Sequence, residues 1–352
     1  YLYQMNKKKY KNLKKSEIPL ITIGITCFNA EKTIARALES GFSQDWGNIE
    51  IIAVNDSSTD NSREILEGFS STKKNFKLIN HPLNMGCAYS RNSIISNSNG
   101  EYIAFFDDDD VSSSDRISLQ YQALLKYEEE NKTNLVACFA SGQKIYKNNY
   151  TKSFFSAGVN GLAPVGLQMA NYLLFFEQIP NIAYGSGVPT CSLFARKSTF
   201  LRVGIFDTKM RRQEDVDFGI RLAIKGAHFI GIKEPVITQF ESSGDYKTAK
   251  VEYQSSLNLI EKYSDYLNSK GLYEYMKLWI KIKYQHFISN NFYASLILIR
   301  LFLKYPTRTI THFGQSASKR FIHESLMNSD SRIIKFFQIC VKFLNQNISL
   351  KK

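Results

Sequence analysis

Along the first third of the chain, short runs of β-branched and apolar residues alternate with stretches whose apolar positions recur every three or four residues. "PLITIGITCF" (19–28) is followed by "AEKTIARALES", "IEIIAVND" by "DNSREILEGF", "FKLINH" by "GCAYSRNSIIS", and "EYIAFFDDDD" (101–110) by "DRISLQYQALLKY". Continuous apolar runs read as buried strands and the longer period reads as helix. The alternation predicts a parallel, doubly wound α/β sheet through about residue 130. In such sheets ligands bind beyond the carboxyl ends of the strands, where Asn29, Asp56 and the aspartate run fall.

The pattern is less regular from 131 to 190, with a strand expected at "NLVACFA" and an apolar helical piece near "GLQMANYLLFF". Regularity returns at "CSLFARKSTFLRVG" and "EDVDFGIRLAIKG". There Val216, Ile220, Ala223 and Ile224 are expected on one helical face, Asp215 at the helix start and Gly226 as its stop. Beyond about 250 the sequence becomes helical and basic. The expected division is a basic lead over 1–18, a catalytic unit over 19–250 with halves 19–130 and 131–250, and a helical region over 251–352.

Charge changes this picture at the two ends. The net charge of +13 is concentrated in residues 1–17, with six lysines against one glutamate, and in 275–352, with thirteen basic residues against two acids. Such ends suit an anionic surface. Nucleic acid is not expected, because no recognition motif or aromatic-basic platform accompanies the charge. Five dispersed cysteines with no C-x-x-C pair suggest neither a disulfide framework nor a thiolate metal site, and fit a reducing cytoplasm. No secretory leader is legible, although the chain starts at Tyr1 rather than Met. The most apolar stretch, 292–303, is too short to span a bilayer and is interrupted by Arg300.

"FFDDDD" poses the chemical question, since neighbouring carboxylates repel by about 1 kcal/mol per close pair even in water. A hard divalent cation such as Mg²⁺ or Mn²⁺, bound by one or two carboxylates together with substrate phosphates, would relieve the repulsion. Asp107 and Asp109 are the candidates. A solvated acidic loop is the plain alternative.

Read together, "ITIGITCFNAEKTIARALES", "IEIIAVNDSSTDNSREIL", "NMGCAYSRNSIISNSNGEYIAFFDDDD" and "QEDVDFGIRLAIKG" resemble the family 2 glycosyltransferases of the GT-A fold, over about residues 19–240. The resemblance implies an inverting transfer of one sugar from a nucleotide sugar, UDP-linked by first preference, to a glycan or lipid-linked acceptor in bacterial surface-glycan synthesis. It also implies Mn²⁺ or Mg²⁺ at a D-x-D motif. Carried over by position, it places Thr26, Phe28 and Asn29 around the base and ribose, and Asp56 on the N3 proton of a uracil or thymine ring. Arg91 is directed at the nucleotide, Asp107 and Asp108 lie near the donor, and Asp109 lies on the metal. Asp215 becomes the general base, supported by Glu214. Residue by residue, plainer readings stay open: Asp56 as a helix cap, Arg91 as a surface arginine, and Asp215 as an acid favoured by a helix dipole.

Departures accompany the matches. Ser57 stands where the family often has Gly, Thr26 where Pro is frequent, no Trp lies beside the "ED" pair, and the Q-x-x-R-W motif of processive synthases is missing. Residues 332–352 pattern as an amphipathic basic helix suited either to an anionic membrane interface, at the inner face of the plasma membrane, or to packing within the protein or an oligomer. Two other functions stay open. A sugar-nucleotide nucleotidyltransferase would want a Gly-rich phosphate loop that "CFNAEKTIA" lacks, and an inactive nucleotide-binding scaffold sits poorly with intact Asp107, Asp109 and Asp215.

Overall fold

A computed structural model describes residues 18–241 and 248–314, together with Leu326. The basic lead over 1–17 and the amphipathic stretch at 332–352 lie outside the described residues.

The four expected strand and helix units all form. Strands β1 (Ile21–Cys27), β2 (Ile49–Asn55), β3 (Phe76–Asn80) and β4 (Tyr102–Asp107) alternate with helices α1 (Ile34–Phe42), α2 (Ser62–Thr72), α3 (Cys87–Asn97) and α4 (Arg116–Asn131). All four strands pair in parallel, in the order β3-β2-β1-β4. β1 is buried along nearly its whole length, which is why it reads as an unbroken apolar run. Gly24 at its centre lets α3 lie close, because a Cβ there would meet the Ile94 side chain at 2.5 Å. This contact sets the depth of the helix that carries Arg91.

The second half changes hand. The remaining strands are β5 (Val111–Ser112), β6 (Val136–Ile145), β7 (Thr151–Phe154), β8 (Leu193–Arg196) and β9 (His228–Phe240). β8 pairs antiparallel to both β4 and β6, β9 runs parallel to β6, and β5 joins the far edge antiparallel to β9. The result is one nine-stranded mixed sheet, with parallel pairing throughout its first half. Helices α5 (Leu167–Phe175), α6 (Lys197–Val203) and α7 (Glu214–Ile224) pack on this half. Gly226 ends α7 with a positive φ of 83°, as expected. Of the expected α7 face, Ile220 and Ala223 are buried, but Ile224 is 53% exposed because it falls in the last turn, beyond the apolar contact.

Four further helices follow: α8 (Ala249–Lys262), α9 (Ser264–Ser269), α10 (Tyr273–Phe287) and α11 (Asn291–Lys304), then helical backbone over 306–314. They bury Leu259, Leu267, Trp279 and Leu301 against Phe175 of α5 and Ile220 of α7. The C-terminal helices and the helix that begins with Glu214 and Asp215 thus share one apolar cluster. Among the described residues, no helix is long and apolar enough to cross a membrane.

Candidate active site

The carboxyl ends of β1, β2 and β4 open on one side of the sheet, and α3 points its first turns at them. Thr26 at the end of β1 is in register with Asp107 at the end of β4, and its Oγ1 lies 3.6 Å from Cys87 Sγ at the start of α3. Phe28 N–H donates to Asp108 Oδ2 at 3.1 Å, fastening the loop after β1 to the aspartate run. Asn29, exposed and at a positive φ of 52°, accepts from Thr59 N–H at 2.8 Å and so ties the first loop to the second. At the start of α2 it is Asp60 that accepts from Ser62 N–H, so Asp56 takes no part there.

Asp56 is almost wholly buried and already engaged. Its carboxylate accepts from Met85 N–H at 2.9 Å and Gly86 N–H at 2.7 Å, and lies 2.8 Å from His81 Nδ1. An acceptor-only carboxylate requires the proton on Nδ1, and Nε2 then meets Ser93 Oγ at 2.9 Å. Gly86 can turn its N–H inward because its φ is 89°, a region an L side chain rarely enters. Asp56 therefore holds the turn into α3, one helical turn ahead of Arg91.

Arg91 is the centre of the site. Its guanidinium is buried, donates to Glu214 Oε1 at 2.6 Å, stands 3.9 Å from Asp107 Oδ1 and lies over the Phe206 ring. Burial by itself would lower its pKa, yet the net shift is upward. Burial pushes the neighbouring Cys87 thiol up to about 12, so that group is neutral near pH 7 and the carboxylates are what hold the arginine charged. Asn92, the next residue on α3, exchanges two hydrogen bonds of 2.8 Å with the Phe206 backbone. Helix α3 thereby grips both halves of the sheet.

The aspartate run is divided by its surroundings. Asp107 and Asp108 are both raised, first by burial and then, for Asp108, by Asp109 and Asp107; for Asp107, Arg91 opposes the shift. Burial and the charges of Asp107 and Asp109 raise Asp110 to about 7. Its Oδ2 accepts from Gln239 Nε2 at 3.1 Å, and the same amide lies 3.3 Å from Cys191 Sγ. Asp107, Asp110 and Cys191 bring their ligand atoms within 4.8 Å of one another. Asp109 is half-buried, and its carbonyl oxygen accepts from Arg36 at 2.6 Å while Arg36 stacks on Phe240. Beneath the run, buried Arg116 donates to the Phe105 carbonyl, Ser112 and Gln120. Burial lowers its pKa to about 10, which still leaves it cationic at neutral pH.

Asp215 follows Glu214 in the first turn of α7. Burial and the Glu214 charge raise its pKa to about 6, against the opposing pull of Arg91. The preceding Gln213 adopts a positive φ of 62° and is held from the C-terminal helices, by Glu252 at 2.9 Å and Ser256 at 2.7 Å. Asp217, two residues further along the helix, is fully buried and engaged by Arg221, Lys262 and Tyr263. Three partners commit it to structure.

The structure thus brings Asp107, Glu214 and Asp215 around Arg91, sets Thr26 beside Asp107, and joins Phe28 and Asp108 to them through the aspartate run. Sequence reasoning missed Asp110, Cys191, Gln239, Arg116 and the α8 support of Gln213. Only Asp110 carried a signal, as the last member of the acidic run.

The profile described as Glycosyl transferase family 2 matches residues 22–199. The chain is 31% identical over 143 residues to the Escherichia coli protein named UDP-Glc:alpha-D-GlcNAc-diphosphoundecaprenol beta-1,3-glucosyltransferase WfgD, covering 38% of this chain and 56% of that protein. It is 30% identical over 265 residues to an uncharacterized glycosyltransferase of Rickettsia felis, covering 74% of this chain and 39% of that protein. The chain spans about half or less of the length of the curated relatives it matches. Among solved structures, S. aureus TarS 1-349 in complex with UDP-GlcNAc superposes with a TM-score of 0.54 at 16% identity, over 84% of this chain and 80% of that one. At that identity the likeness is one of fold.

Proposed function

Because the chain belongs to glycosyl transferase family 2, whose profile spans half of it, we propose that it transfers a single sugar from a nucleoside diphosphate sugar, with UDP as the favoured carrier, to a hydroxyl of a glycan or lipid-linked acceptor. The observation that carries the reading is buried Arg91, which joins a carboxylate at the end of β4 to the acidic pair that opens α7. Two relatives point to the same reactants, one named for a UDP-glucose donor and a diphosphoundecaprenol-linked acceptor, the other solved with UDP-GlcNAc. On this reading the acceptor is met at the cytoplasmic face of a membrane.

The transfer is inverting. Asp215 takes the proton of the acceptor hydroxyl as that oxygen bonds to the anomeric carbon. The bond from carbon to diphosphate breaks on the opposite face, and its electron pair leaves with the nucleoside diphosphate. A carboxylate raised to about 6 suits this task, being ionised at neutral pH yet more basic than an ordinary aspartate. Glu214 and Arg91 set its charge environment. On the donor side, Thr26, Phe28 and Asn29 line the nucleotide. Asp56 spends three of its roughly four acceptor sites on the protein and keeps one for the N3 proton of uracil.

The residues at the end of β4 fit a hard divalent cation, because Asp107 and Asp110 bring carboxylate oxygens together and burial with repulsion from neighbouring carboxylates raises both, a penalty that a cation would relieve. Asp109, with Asp107 and Asp110 beside it, would hold Mn²⁺ or Mg²⁺. Bound there, the ion would neutralise the leaving diphosphate.

Asp215→Asn tests the assignment. Transfer is expected to fall by roughly 10² to 10⁴, while UDP binding by calorimetry stays as in the unaltered protein. In the unaltered enzyme kcat/KM is expected to rise about tenfold per pH unit below about 6 and then level, since only ionised Asp215 acts as base. Near-normal transfer by the variant would move the role to Glu214.

A further inference from the structure

Ten of the 21 large apolar side chains exposed among the described residues fall between Phe287 and Phe313, so the apolar surface is concentrated on the last helices. On α11, Phe292, Leu296, Ile299 and Leu303 follow one another at spacings of four, three and four and stand 77%, 47%, 56% and 82% exposed. This is one helical face. The opposite face is buried through Ala294, Ile297 and Leu301, so the helix is already fixed to the protein when it presents its outer stripe. Ile310, 61% exposed, continues the apolar surface beyond the end of α11.

Along the chain next to this stripe the charge has one sign once Glu274, at the start of α10, is passed. From Tyr275 to Gly314 the sequence contains six lysines and arginines and no aspartate or glutamate. Arg300 and Lys304 flank the stripe on α11, and Lys281 of α10 lies over the Tyr293 ring beside it. A stable contact between soluble proteins rarely needs so uniform a cationic field, whereas an apolar ridge set among cations complements lipid headgroups above acyl chains.

We infer that the exposed face of α11 docks the protein on an anionic lipid bilayer, with Phe292, Leu296, Ile299 and Leu303 entering the headgroup boundary and Arg300, Lys304 and Lys281 meeting lipid phosphates. The inference rests on the membrane placement proposed above and names the surface that achieves it. Leu301 of α11 shares its apolar cluster with Ile220 of α7, so the docked face is coupled through packed side chains to the helix that presents Asp215. The bilayer then sets the position of the acceptor-side base relative to a lipid-linked hydroxyl.

Vesicle flotation with the full chain tests this without donor or acceptor. Phosphatidylcholine vesicles containing phosphatidylglycerol are expected to carry the protein, those of phosphatidylcholine alone to carry much less, and raised salt to weaken the binding. The combined variant Phe292→Ser, Leu296→Ser, Leu303→Ser should lower the bound fraction by about tenfold or more, and Arg300→Glu with Lys304→Glu should do likewise at low salt. Melting temperatures should be unchanged, because all five side chains are exposed. If the unaltered protein floats with no vesicle, the membrane placement itself is wrong. If it floats and both variants float equally well, the placement stands and α11 is not the contact. A dimer in light scattering that the apolar variant dissociates would assign the face to a second copy and overturn the inference.

Discussion

The two halves of the sheet build their parts of the site by different means. In the first half, each site residue sits at the end of its own strand or in the turn that follows: Thr26 on β1, Asp56 after β2, Asp107 on β4. Parallel neighbours in register bring these ends together, so the proposed donor side follows from local structure. In the second half, Glu214 and Asp215 stand at a helix start whose entry turn is held by Glu252 and Ser256 of α8 and whose far side packs on the C-terminal helices. The proposed acceptor side depends on chain that lies beyond the strands. Donor recognition should therefore tolerate damage that acceptor chemistry does not, and Arg91 is where the two proposed sides share an ion pair.

The largest expected effect is confined to the donor side. Asp109→Ala should lower turnover by at least about 10³-fold and weaken Mn²⁺-assisted nucleotide binding, with the melting curve preserved. Full activity in EDTA would remove the cation from the account.

Arg91→Ala should damage both halves at once. It removes the one ion-pair partner that Glu214 has among the described residues and leaves that carboxylate, 12% exposed, without a cation, which costs about 3–5 kcal/mol in urea unfolding. A loss under about 1 kcal/mol would mean that the two halves are not joined there.

Glu252→Ala tests the dependence of the acceptor side on α8. Freed from Glu252, the Arg212–Gln213 turn should let Asp215 drift, cutting kcat by about tenfold. UDP affinity should be unchanged, and an equal loss of nucleotide binding would show that the halves are not separable. Ser57→Gly is the smallest test, and it belongs to the donor side. Ser57 carries a positive φ of 62°, strained for a side chain with a Cβ, so glycine should raise stability by about 0.5 kcal/mol after its own entropic cost. Destabilisation would show that the serine hydroxyl has work of its own in the loop.

The sequence by itself determined the four βα units, the strand ends where the proposed donor residues sit, and the helix start at Glu214 and Asp215. These depend on apolar period, on breakers such as Gly226 and on acids at a helix entry, all of which are written within a few neighbouring residues. It also raised the question of the acidic run. Only the tertiary structure decided how that run is tolerated, with Arg116 beneath it, Arg36 on the Asp109 carbonyl, and Gln239 joining Asp110 to Cys191 from strands and turns far along the chain. Likewise, nothing local marks Glu252 as the partner of Gln213, or Asp217 as a buried anchor while Asp215, two residues earlier on the same helix, keeps a titratable carboxylate near the active centre. Hydrogen bonds and ion pairs between distant segments leave no period in the sequence. They arise from the depth at which the packed sheet and helices set each side chain, and that depth divides otherwise identical carboxylates into different roles.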